Sequence, residues 1–135
     1  MIIALDPGKT TGGFTILASG QPHWFEVDGL NPLWRQLQIL RPTTIVYEKF
    51  SQRMKAADLA PVEVIGAIKL YNEMLDIPIV PQSSSQAKGV MDNAKLKAWG
   101  FYKPGMKHAT DAARHYMYYS VVTLGQTKWL EVLKV

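Results

Sequence analysis

Acids and bases that could do chemistry recur in three short stretches: "ALDPGKTTGGF" at residues 4–14, "IVYEKF" at 45–50 and "HATDAARHY" at 108–116. In the first, Gly8-Lys9-Thr10 imitates the end of a phosphate-binding loop. Such a loop needs a further glycine upstream, at the position that Ile3 occupies here. The chain therefore lacks the backbone needed to wrap a triphosphate, and Asp6 becomes the residue to explain. Asp6 follows an apolar run, and so does Glu48. His108, Asp111 and His115 fall at i, i+3 and i+7, one face of a helix. Clustered carboxylates repel one another, so a cation must gather them. Oxygen ligands with at most one imidazole suit Mg²⁺ or Mn²⁺. Two such ions, about 4 Å apart, can activate a water and stabilise a leaving oxygen in phosphodiester cleavage.

These residues need a frame. "MIIALD" reads as a buried central strand. Gly8, Gly12 and Gly13 read as a tight turn into a second strand, "GFTILA", and "HWFEV" as a third, which makes a meander. Asn31-Pro32 predicts a helix start, with Asn31 as cap. That helix runs to about Leu40, with Leu33, Trp34, Leu37 and Leu40 on one stripe. "TTIVYE" is a fourth strand that ends in Glu48. Pro61 begins a second helix carrying Val64, Ile68, Tyr71 and Leu75 at helical spacing, and "IPIV" is a short fifth strand. Ser83 with Gln86 resembles a capping box, Asp92 a second cap and Gly100 a stop. A last helix runs from about Lys107 to Leu124, and Ala109, Ala112 and Ala113 allow it to pack close to the sheet. The order β-β-β-α-β-α-β-α-α implies an α/β fold: a mixed five-stranded sheet, three strands of meander plus two parallel strands, with helices on both faces. That is the element order of the ribonuclease H-like fold. The first strand is then central and the fourth its parallel neighbour, so Asp6 and Glu48 emerge at the same sheet edge, where active sites of open α/β sheets lie.

Composition narrows the class. The 135 residues, 47% hydrophobic and 19% charged, suit one domain over 1–135. No apolar run approaches the roughly 18 residues of a membrane helix. Met1 leads straight into "IIALD" with no basic leader, so no signal peptide is expected and a cytoplasmic setting is. Zero cysteines exclude disulfide frameworks and thiolate zinc sites. The net charge of +4 is uneven. Residues 49–60 carry Lys49, Arg53 and Lys55 against Asp58, and residues 82–107 carry five lysines against Asp92. Two concentrated basic segments beside the acids point to nucleic acid as substrate.

At this point the three stretches resemble the acidic motifs of RuvC-type Holliday junction resolvases, the phage-encoded members most of all. Asp6-Pro7-Gly8 and Thr11-Gly12 match the first motif, with spacing one residue shorter than in many bacterial members. Glu48 matches the second, and His108, Asp111 and Ala112 the third. The resemblance implies a homodimer that binds branched DNA and nicks two strands symmetrically with Mg²⁺, in a bacterial cell or phage-infected host. It implies Asp6, Glu48 and Asp111 as metal ligands, and His108 as a ligand or water-orienting base. Phe50 is the candidate for the aromatic that wedges into the junction, one residue off the family spacing. Lys49, Arg53, Lys55, Lys88 and Lys107 are candidate phosphate contacts, with Lys9 at most an auxiliary one. Trp99, Phe101 and Tyr102 beside Lys103 are candidates for base stacking or for core. Three alternatives share the fold: an RNA-processing nuclease of the RuvX type, an ATP-binding domain of the actin-like and sugar-kinase class, and a DNA-binding module without activity. The ATP-binding class needs two such domains, and a dead module would be expected to lose an acid.

Overall fold

The computed structural model describes residues 1–51 and 58–134. The elements follow in the order β1 (Ile2–Asp6), β2 (Thr10–Ile16), β3 (Pro22–Asp28), α1 (Leu30–Leu40), β4 (Thr44–Glu48), α2 (Ala60–Leu75), β5 (Ile79–Gln82), α3 (Ser84–Val90), α4 (Asn93–Trp99), α5 (Lys107–Tyr118) and α6 (Lys128–Val132). The sheet order is β3-β2-β1-β4-β5. β1 pairs antiparallel with β2 and parallel with β4, and β4 pairs parallel with β5. The uninterrupted apolar run of β1 thus occupies the centre, where both faces of a strand are covered.

Side-chain alternation divides the sheet into two cores. Ile3, Leu5, Ile45 and Tyr47 point to one face, where Leu33 and Leu37 of α1 and Val64, Ile68 and Tyr71 of α2 cover them. Ala4 and Val46 point to the other, under Ala112, Ala113, Tyr116 and Met117 of α5. Period-two alternation then places Asp6 and Glu48 on the α5 face, at the C-terminal ends of their strands. Ala109, Ala112 and Ala113 are fully buried, so the small residues do bring α5 onto the sheet.

Several local expectations shift. β2 begins at Thr10, so Gly12 and Gly13 lie inside the strand and not in the turn before it. Thr11 Oγ1 closes that turn, donating to the Gly8 carbonyl at 3.2 Å. Asn31 lies in the first turn of α1, and the chain enters that helix from Gly29 at φ 90, a conformation that costs glycine little. Ser83 and Asp92 do cap α3 and α4, accepting from the amides of Gln86 and Lys95, and Gly100 ends α4 with a left-handed conformation. The helix begun at Lys107 changes to a π-turn at Tyr119–Thr123 before Gly125. Leu75, expected on the buried stripe of α2, is exposed at the last residue of that helix.

Candidate active site

Asp6 and Glu48 leave β1 and β4 side by side, since the parallel register pairs Leu5 with Tyr47. α5 crosses above them, because β1 and β2 meet it along much of its length. Gly12 makes that crossing possible: a Cβ there would lie 2.0 Å from the His108 carbonyl carbon and 2.4 Å from the Ala109 nitrogen. Glu26 fixes the same end from β3. It sits opposite Gly12 in the β2–β3 register, and its Oε2 accepts from the Ala109 amide at 3.0 Å. α5 has no side-chain cap from its own preceding residue, so Glu26 satisfies an N-terminal amide that would otherwise lack a partner.

Asp6, Glu48, His108 and Asp111 line one open cleft of about 370 Å³, together with Lys9, Lys88 and Lys107. Asp58, an acid outside the sequence-based candidates, joins the same wall. Each main acid has its own basic partner. His108 Nδ1 lies 3.4 Å from Asp6 Oδ2. His115 Nε2 lies 3.1 Å from Glu48 Oε1. Arg114 Nη2 lies 3.5 Å from Asp111 Oδ1, and the guanidinium is anchored by the Met91 carbonyl and Asn93 Oδ1. Arg114 itself lies outside this cleft and lines a neighbouring one, which Asp111 also lines.

The electrostatics are asymmetric. Asp6 is 9% exposed. Its burial, followed by the charges of Glu48 and Asp111, pushes its carboxyl from 3.8 up to about 8, against the opposing pull of Lys88 and Lys107. Burial would also raise Glu48, but the hydrogen bond and charge of His115, a hydrogen bond from Ser84 and the charge of Lys88 outweigh it and hold that carboxyl below its usual value. Among the described residues, no three His, Asp or Glu side chains converge tightly enough to form a ready-made metal site. Each acid meets its own base. The donor chemistry nonetheless fits a hard divalent cation: carboxylates with one accessible imidazole, and at Asp6 a burial and a crowding of negative charge that a cation would relieve.

The remaining candidates fall in different places. Lys49 and Phe50 line a second cleft of about 580 Å³ that shares Glu48 with the first and includes Ser83, Ser84 and Ser85. Phe50 is 45% exposed, outside the core. Arg53 and Lys55 lie outside the described residues. Phe101 is buried in the α5-side core and Trp99 Nε1 donates to the Trp129 carbonyl, so these two serve packing. Tyr102 is half-buried, with Lys97 Nζ 4.8 Å above its ring. The sequence reading missed Glu26 and Gln82. Strand alternation was the signal available for both, since each lies on the α5 face of the same sheet edge.

No family model and no curated protein matches the chain. Solved structures do. The chain superposes on T. thermophilus RuvC in complex with Holliday junction substrate with a TM-score of 0.68 and 14% identity, over 93% of this chain and 96% of that one. A second Thermus thermophilus RuvC structure gives a TM-score of 0.65 and 16% identity over 92% and 96%. The fold shared with these structures is the ribonuclease H-like α/β fold, a mixed five-stranded sheet with helices on both faces.

Proposed function

We propose that residues 1–135 act as a divalent-metal-dependent endonuclease domain that cuts phosphodiester bonds in branched DNA, in the manner of a Holliday junction resolvase. The observation that carries the reading is the meeting of Asp6 and Glu48, from parallel neighbouring strands, with His108 and Asp111 of α5 in one cleft rimmed by Lys9, Lys88 and Lys107. Asp6, Glu48 and Asp111, with His108, would hold Mg²⁺, with Mn²⁺ able to substitute. When bound, the metal supplies the positive charge and water activation that phosphodiester hydrolysis needs. The chain's own groups do the rest. Lys88 and Lys107 attract the substrate's phosphates. His108 Nδ1, 3.4 Å from Asp6 Oδ2, can hold or pass a proton at the cleft floor. The neighbour solved with a Holliday junction supports branched DNA as the partner. The phage-like motifs and a cytoplasmic setting belong to the same reading, and among the described residues no helix is long and apolar enough to cross a membrane.

The reading includes a homodimer. Val62 and Leu70 are exposed along one stripe of α2, with Gly66 between them, Met74 beside them and Leu59 exposed just before the helix. A second copy of α2 would cover that stripe. Ile65, on the same helix, is buried in the core under α1 and α2 and takes no part in that stripe.

The test is cleavage of a labelled four-way junction, Y-fork, linear duplex and structured RNA with Mg²⁺ or Mn²⁺, wild type beside Asp6→Asn. Paired nicks in the junction that vanish in the variant are expected. Cleavage of RNA alone would move the chain to RNA processing, and cleavage of nothing would refute the metal site. Light scattering of the purified protein tests the dimer.

A further inference from the structure

Glu48 belongs to a closed chain of side chains that the function above does not use. Its Oε1 is 3.1 Å from His115 Nε2. The other ring nitrogen, Nδ1, is 2.8 Å from Gln82 Oε1. Gln82 is the β5 residue in register with Glu48. Two neighbouring strands and the helix above them are thus joined through one imidazole. His115 is 2% exposed and Gln82 6%, so neither can touch a substrate lying in the cleft.

The hydrogens on this chain follow from the donors and acceptors. With Gln82 Oε1 facing the ring, Nδ1 must donate, and the buried Gln82 Nε2 finds no partner among the described residues. Turning the amide over exchanges its two ends. Nε2 then donates to Nδ1, and the atom left over is an acceptor, which is tolerated better than an orphaned donor. Both arrangements require a hydrogen on His115 Nε2. A bare ring nitrogen 3.1 Å from a carboxylate oxygen would set lone pair against lone pair.

We infer that His115 is a positioning residue: its Nε2–H fixes the Glu48 carboxylate on the wall of the acidic cleft, and Gln82 fixes the ring. The inference rests on the metal-site reading above, and deepens it. Glu48 is the last residue of its strand and lines both clefts, and without His115 only the Ser84 hydrogen bond, from the side of the second cleft, would hold its carboxylate. A ligand already held in place loses less freedom when a cation binds. Hydrogen-bond partners of metal ligands are typically worth about 10–100-fold in metal affinity.

The experiment is Mn²⁺ titration followed by electron paramagnetic resonance, on wild type, His115→Leu, His115→Gln and Gln82→Leu, with long-range ¹H–¹⁵N spectra of the metal-free wild type. His115→Leu should bind Mn²⁺ about 10–100-fold more weakly. His115→Gln, whose amide can donate, should recover part of that loss, and Gln82→Leu should lie between wild type and His115→Leu. The spectra should show a protonated Nε2 on His115. An unprotonated Nε2, or wild-type affinity in a folded His115→Leu, overturns this inference alone. If His115→Leu does not fold, wild-type affinity in Gln82→Leu together with an unprotonated Nε2 does the same. A wild type that binds no Mn²⁺ overturns the metal reading and this inference together.

Discussion

The two acid–histidine pairs at the sheet edge look alike in composition and behave in opposite ways. Asp6 and Glu48 end parallel neighbouring strands, and each faces a histidine of α5. His108 is at the first turn of α5 with a 46% exposed side chain, and meets Asp6 at 3.4 Å. His115 lies two turns further on, buried, meets Glu48 at 3.1 Å and is backed by Gln82. Asp6 is pushed up to about 8, first by burial and then by its acidic neighbours. Glu48 is held low because a braced imidazole, Ser84 and Lys88 overcome its burial. Burial acts on both acids, and the neighbouring charges and hydrogen bonds decide whether it prevails. Two titratable groups with pKa values driven apart are the pattern of a site that keeps one acid ionised and leaves the other to exchange its proton.

The largest break in that comparison is Asp6→Asn. Cleavage with Mg²⁺ should fall by more than the roughly 100-fold that loss of a ligand's hydrogen-bond partner costs, while junction binding in a mobility-shift assay is largely retained. The same variant should gain stability in the metal-free state. A carboxyl raised from 3.8 to about 8 favours folding fully below pH 3.8, and that contribution is lost as the pH rises through about 8. Metal-free wild type should therefore weaken from about pH 4 to pH 8, by no more than about 6 kcal/mol at ~1.4 kcal/mol per unit. Asp6→Asn should not follow, as urea titrations in EDTA at both ends of the range would record.

Gly12→Ala attacks the Asp6 end through packing. The added methyl cannot be accommodated against the His108 backbone, so the start of α5 must lift, at a cost of about 1–3 kcal/mol. The denaturation midpoint should drop. The His108 resonances should shift more than those of His115, and equal shifts would remove the proposed link between Gly12 and the Asp6 pair. Glu48→Gln probes the other pair with the opposite sign. A carboxyl held below 4.5 adds stability above that pH and loses it as the pH falls through its folded value. The variant should thus be less stable than wild type at pH 7, and the difference should shrink in acid-unfolding curves below pH 4.5.

The smallest expected effects come from the rim. Lys88→Ala and Lys107→Ala should each weaken DNA binding and reduce the slope of log affinity against log salt by about 1. Both lysines pull the Asp6 carboxyl down, so each change should also move the pH midpoint of Mn²⁺ binding upward. An unchanged slope would remove that lysine from the interface.

The sequence by itself determined the frame and the acids. Apolar runs ending in Asp6 and Glu48, the Ala-rich face of "HATDAARHY" and the caps at Ser83, Asp92 and Gly100 are local signals, and local physics decides them: strand burial, helical period, amide capping. Tertiary structure alone decided which base each acid meets. His108 and His115 share one helix face and are indistinguishable by spacing, yet one remains half exposed and the other is sealed between Glu48 and Gln82. That outcome depends on how far α5 reaches across the sheet. Gly12 and Glu26 set its start, and the register between β4 and β5 brings Gln82 level with Glu48. The same holds for Gly12, a turn glycine by its neighbours and a packing glycine by what crosses above it. Contacts between residues far apart in the chain leave no periodic trace, and the charge of Asp6 is a property of those contacts.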